Sequence, residues 1–174
     1  MNEPESLSAA EEIIIETEEG AVVGEVTEME KVSQEVVPVN VAESRQFADW
    51  AAKAVEFLNV YGPPESDNEL KQYDGAFKAW QGSKVKKYSD QEVINLLGAY
   101  LGQRLVQDLD MEWVMVTDKY GQDYAVQHKV SKLMGFPFSS VMKRIEDGES
   151  DFLHGVYHIL KNELEKGDLD QREE

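Results

Sequence analysis

The sequence predicts an α+β fold with N-terminal helices, one long central helix, a small antiparallel sheet centred on a hairpin, and C-terminal helices. Three observations predict it. Apolar residues recur at three- and four-residue spacing from Phe47 to Leu105, the period changes to two between Trp113 and Gln127, and helical spacing returns after Ser139. Glycines, prolines and capping residues fall where each period ends. With three tryptophans, seven tyrosines and six phenylalanines in 174 residues, the chain can fill one core of ordinary size.

Residues 1–42 combine acids with β-branched side chains. The alternation in 21–26 and the run VVPVNV at 36–41 would suit short strands. Pro38, the density of glutamate and the lack of any aromatic favour a disordered acidic arm instead. The single domain then spans 43–168, and 169–174 form a disordered acidic tail.

Within the domain, Phe47, Trp50, Ala51, Ala54, Phe57 and Leu58 make one face of a helix, with Ser44 as its N-cap and Gly62-Pro63-Pro64 as its stop. A second helix is expected from Ser66, where S-D-N-E matches a capping box, through Leu70, Tyr73, Phe77 and Trp80 to Gly82. A basic loop, SKVKKY, precedes another capping box at Ser89 and Glu92, which opens the best-patterned helix. Its stripe is Ile94, Leu97, Leu101 and Leu105, with Gly98 and Gly102 sharing a face. Each interior glycine costs about 1 kcal/mol against alanine, so both predict a close approach by a neighbouring element, a sheet in our reading. Trp113–Val116 and Tyr124–Gln127 read as a hairpin turning near Gly121, with a third strand over 134–138. In that extended segment Phe136 and Phe138 would face the same side. Ser139 or Ser140 would cap a short helix ending at Gly148, and Ser150 the last one, with Phe152, Val156, Ile159 and Leu160 buried and Gly167 closing it.

The segments LLGAYLGQRL (96–105), EWV (112–114), DKYGQDYAV (118–126), FPFSSVMKRIEDGE (136–149) and DFLHGVY (151–157) occur in that order. Through them, residues 95–160 resemble a bacterial family, the domain of unknown function 3806. The resemblance implies a compact α+β bacterial domain. It implies no activity and supplies no catalytic residues.

The formal charge of −18 is concentrated near the N-terminus: residues 1–43 hold twelve acids and one lysine, against 23 acids and 16 bases beyond them. Such a field repels phosphate backbones and anionic lipid, which argues against nucleic-acid and membrane partners and for a basic protein partner. Cysteine is absent, which removes disulfides and thiolate chemistry and fits a cytoplasmic location. Neither a secretory signal nor a membrane-length apolar run is visible.

No cofactor motif is present, since the glycines form neither dinucleotide nor phosphate loops. His154 and His158 lie four apart, with Asp151 one turn earlier, and these three could hold a divalent ion. The metalloprotease pattern fails, because Gly155, Val156 and Tyr157 stand where its glutamate would be. His128, paired with Asp118 or Asp123, could serve as a general base, but no nucleophile motif accompanies it; Ser139 and Ser140 lack the G-x-S-x-G setting. The basic candidates for binding are Lys84, Lys86 and Lys87, beside Trp80 and Tyr88, together with Lys143 and Arg144. The expected function is a non-catalytic interaction module binding a basic partner, of toxin-neutralising or adaptor type. The alternative is a small hydrolase or metal-dependent enzyme built on His128, His154, His158 and the nearby carboxylates.

Overall fold

The computed structural model describes residues 11–17, 20–26, 33–63 and 66–170, and divides the chain into two compact units after Gln34. In the first unit, β1 (Glu11–Thr17) and β2 (Gly20–Val26) pair antiparallel, Ile14 opposite Val23. The expectation of disorder over 1–10, 27–32 and 171–174 lies outside the described residues.

The second unit begins at Glu35, earlier than the expected boundary at 43. Strand β3 (Glu35–Pro38) joins β4 (Met111–Asp118), with Val37 opposite Met115. Pro38 donates no ladder hydrogen bond, which is tolerated because β3 is an edge strand. The sheet continues through β5 (Gly121–His128) to β6 (Met134–Gly135), all antiparallel. The expected hairpin is present, and its turn is tight: Asp118 pairs with Gly121, whose φ of 137° suits a residue without a Cβ.

Five helices surround this sheet. Helix α1 (Val41–Tyr61) starts three residues before the expected cap, because Asn40 and Glu43 form a reciprocal capping box. Helix α2 (Glu69–Gly82) is capped by Asn68, whose side chain accepts from Lys71 N; Ser66 Oγ accepts from Asn68 N instead of opening the helix. Helix α3 (Asp90–Asp108) has the predicted box of Ser89 and Glu92. Helix α4 (Pro137–Asp147) replaces the outer part of the expected third strand. Pro137 occupies its first turn, where a missing N–H is harmless, and Gly148 ends it in a left-handed conformation, φ 68°. Helix α5 (Leu153–Asp170) runs through Gly167 without stopping there.

The period-two pattern of β4 sorts its side chains onto two faces. Met111 and Trp113, with Val126 from β5, join the main core formed by Phe57, Phe77, Trp80, Leu97, Leu101 and Leu153. Val114, Val116 and Ala125 form a smaller cluster on the other face, with Val36, Met134 and Phe136 against it. Phe136 and Phe138 therefore part: the first packs under the sheet and the second in the main core, because helix geometry replaces the extended geometry in which they would align.

Both α3 glycines mark a close approach, Gly98 to Phe138 of α4 and Gly102 to Trp113 of the sheet. A Cβ on Gly98 would stand 2.9 Å from the Cα of Phe138, and one on Gly102 would collide with the indole of Trp113. Phe152, just before α5, and Leu153 and Leu160 on it are buried, but Ile159, expected in that stripe, is exposed. The N-terminus of α5 is closed from α2 rather than by Ser150. Buried Asp74 accepts from Phe152 N at 3.0 Å, Leu153 N at 2.8 Å and His154 N at 3.1 Å. A carboxylate there satisfies amides that no turn of the helix can reach and suits the positive end of its dipole.

Candidate functional site

Helices α1 and α3 pack against each other, and their side chains leave a cleft on each flank of α1. The first, about 270 Å³, is lined by Trp50, Lys53 and Glu56 of α1, by Tyr88 from the loop before α3, and by Glu92, Asn95 and Leu96 of α3. Its walls are braced from behind. The Trp50 ring stacks 5.9 Å from Phe47 and meets Phe138 edge-on at 6.2 Å. Tyr88 rests edge-on against Phe57 at 5.4 Å, and its carbonyl accepts from the indole N–H of Trp80 at 3.0 Å. Glu92 is held by its capping box, Oε2 accepting from Ser89 N at 2.7 Å and Ser89 Oγ at 2.9 Å. Those bonds favour the carboxylate and lower its pKa. Burial pushes the Tyr88 phenol up, with further contributions from Glu56 and Glu92, which line the same cleft.

On the other flank, Ala48, Ala51, Ala52, Glu69, Tyr100, Gln103, Arg104 and Gln107 enclose about 340 Å³. The Arg104 guanidinium spans Glu69 and Asp108, each at 3.1 Å, and Tyr157 donates to Asp108 at 3.0 Å. This network ties α2, α3 and α5 together. Tyr73 and Tyr100 lie ring to ring, 3.9 Å between centroids. Burial pushes the Tyr73 phenol up to about 12 and the Tyr100 phenol further still, so neither supplies a phenolate near neutral pH. We read this flank as a structural junction.

The residues singled out from sequence lie apart. His128, at the end of β5, accepts from Ser131 N through Nδ1 at 3.1 Å, beside a cleft of about 300 Å³ that includes Glu163 of α5. Asp123 accepts from Ser139 Oγ at 2.5 Å. Ser140 Oγ donates to Phe136 O, so neither serine caps α4. The rings of His154 and His158 do share a face, 4.2 Å apart. Exposed Asp151 stands before α5 with a φ of 62°, and among the described residues no group of three His, Asp or Glu side chains could hold a metal ion. Burial, then His158 and Lys71, lower the His154 pKa.

Among the basic candidates, Lys84, Lys86 and Lys87 are exposed, and Lys86 Nζ sits 4.2 Å over the Trp80 ring. Lys143 is exposed, whereas Arg144 is engaged by Glu149 at 2.5 Å. Gln81 Nε2 donates to Arg144 O at 3.2 Å, which brings the end of α2, from which the lysine loop leaves, to the end of α4. The aromatic and acidic cleft went unrecognised from sequence because Trp50, Tyr88 and Glu92 read separately as helix face, loop and cap, and Glu56 gave no signal of its own. Only the fold joins them.

No curated protein matches the chain. A crystal structure of a protein from Bacteroides thetaiotaomicron is similar in fold, with a TM-score of 0.52 at 15% identity over 78% of this chain. The chain spans half the length of that protein. Among the described residues no helix is long and apolar enough to cross a membrane. The family model described as "Domain of unknown function (DUF3806)" matches residues 78–157, from the last turns of α2 into α5, and this part of the chain is a DUF3806 segment.

Proposed function

We propose that the protein is a non-catalytic interaction module of a bacterial cytoplasm whose partner is a basic protein, of toxin-neutralising or adaptor type. The observation that carries this reading is its uncompensated acidity. The chain has 35 acids against 17 lysines and arginines, and exposed Glu35, Asp49, Glu56, Asp67 and Asp147 make no ion pair among the described residues. Such a surface accelerates encounter with a cationic partner and disfavours nucleic acid and anionic membrane. The absence of cysteine fits a reducing compartment. The enzyme alternative has less support, because the cleft that His128 lines includes neither His154 nor His158.

Calorimetric titration with an arginine- and lysine-rich peptide of about 20 residues tests the reading. Saturable 1:1 binding is expected near physiological ionic strength, weakening steadily as salt is added. Absence of saturation there overturns it.

A further inference from the structure

We infer that the cleft walled by Trp50, Tyr88, Glu56 and Glu92 is a seat for one cationic side chain, a guanidinium in preference to an ammonium. This rests on the reading that the partner is basic and names the place where it is held. The cleft combines two aromatic walls with two carboxylates, and its volume of about 270 Å³ suits a side chain rather than a folded element. A planar cation can lie against an aromatic face while its edge donates to a carboxylate, a geometry that guanidinium satisfies better than ammonium. The four groups come from α1, from α3 and from the loop before α3, and three of them are supported in place. Trp50 is packed by Phe47 and Phe138, Tyr88 by Phe57 and the Trp80 bond to its carbonyl, and Glu92 by Ser89. Such preorganisation lowers the ordering cost of binding. Glu56 makes no ion pair among the described residues, so its carboxylate can receive a donor. Lys53 lines the same cleft and is the resident charge that would oppose an incoming cation.

The probe is N-acetylarginine amide, with the neutral isostere N-acetylcitrulline amide as its control, titrated into the full chain while the three indole N–H resonances are followed. The expected result is a saturating shift of Trp50 with the arginine derivative and not with citrulline, while the Trp113 resonance, in the core, stays in place. Glu56→Gln should weaken binding about two- to fivefold, the range of one partly exposed cation–π or charge contact, and Lys53→Gln should tighten it. Both side chains are exposed, so neither change threatens folding. An equal response to citrulline, a Trp50 signal that does not move, or unchanged affinity in Glu56→Gln each overturns the assignment. If the basic peptide binds but the arginine derivative leaves Trp50 unmoved, the cleft is discarded and the interaction reading survives. If the derivative binds and no basic peptide does, the seat survives and the protein-partner reading falls.

Discussion

Replacing Asp74 with alanine removes the acceptor for three amides at the start of α5, where Phe152 and Leu153 are buried. A buried donor left unsatisfied costs about 1–3 kcal/mol. The His154 amide is only part-buried and can recruit water. Relief of a buried charge returns part of the loss, since burial, the dominant influence, raises the Asp74 pKa despite the three amides that lower it. We therefore expect about 2–4 kcal/mol of destabilisation for Asp74→Ala, read from the urea midpoint by tryptophan fluorescence. Asp74→Asn separates hydrogen bonding from charge. Oδ1 accepts from both Phe152 and Leu153 and can be kept as the amide oxygen, while the amide nitrogen would face the His154 N–H. It should cost about half as much as alanine, on the order of 1–2 kcal/mol. The pH dependence has a definite sign. A raised folded pKa means that the native state holds a proton the unfolded chain has already lost. The difference in stability between wild type and Asp74→Asn should therefore shrink as pH rises from the unfolded aspartate value through the raised one. A loss under about 1 kcal/mol in Asp74→Ala, or asparagine as damaging as alanine, would refute this account.

Two further outcomes follow. Gly98→Ala and Gly102→Ala should each destabilise by about 1–3 kcal/mol, overpacking outweighing the gain in helix propensity, whereas Gly155→Ala, with open space around it, should gain up to about 1 kcal/mol; thermal or urea unfolding that ranks all three alike contradicts the packing described. Stability should fall as pH drops from the unfolded histidine value through the lowered folded pKa of His154, and His154→Gln should flatten that limb; an unchanged pH profile in the variant removes His154 as its source.

Local signals were readable wherever a residue and its partner are close in sequence. The Ser89 and Glu92 box lies within one turn, and the β-branched and aromatic residues of Trp113–Val116 announce their strand. The glycine pair announced a close approach but not its partner, since Phe138 and Trp113 arrive from elements formed later in the chain. FPFSS misled because proline suits both a strand edge and the first turn of a helix, and only the docking of α4 on α3 decides between them. Asp74 was invisible as a cap, its amides lying 78 to 80 residues away. Likewise, Ser66 had the spacing of a capping box, yet Asn68 offered a side chain two residues nearer and prevailed.

Strand β3 gives the sheet an outer border drawn from beyond the recurring segment. Cut at residue 42, the chain would lose that strand and the Asn40 cap together, leaving one side of β4 with its row of amides and carbonyls uncovered. Residues 78–157 by themselves would also lack Phe47, Phe57 and Phe77, around which the main core closes. The stretch that recurs in sequence is thus smaller than the stretch that must fold as one cooperative body, and a shortened chain meant to retain the native state has to begin upstream of Glu35.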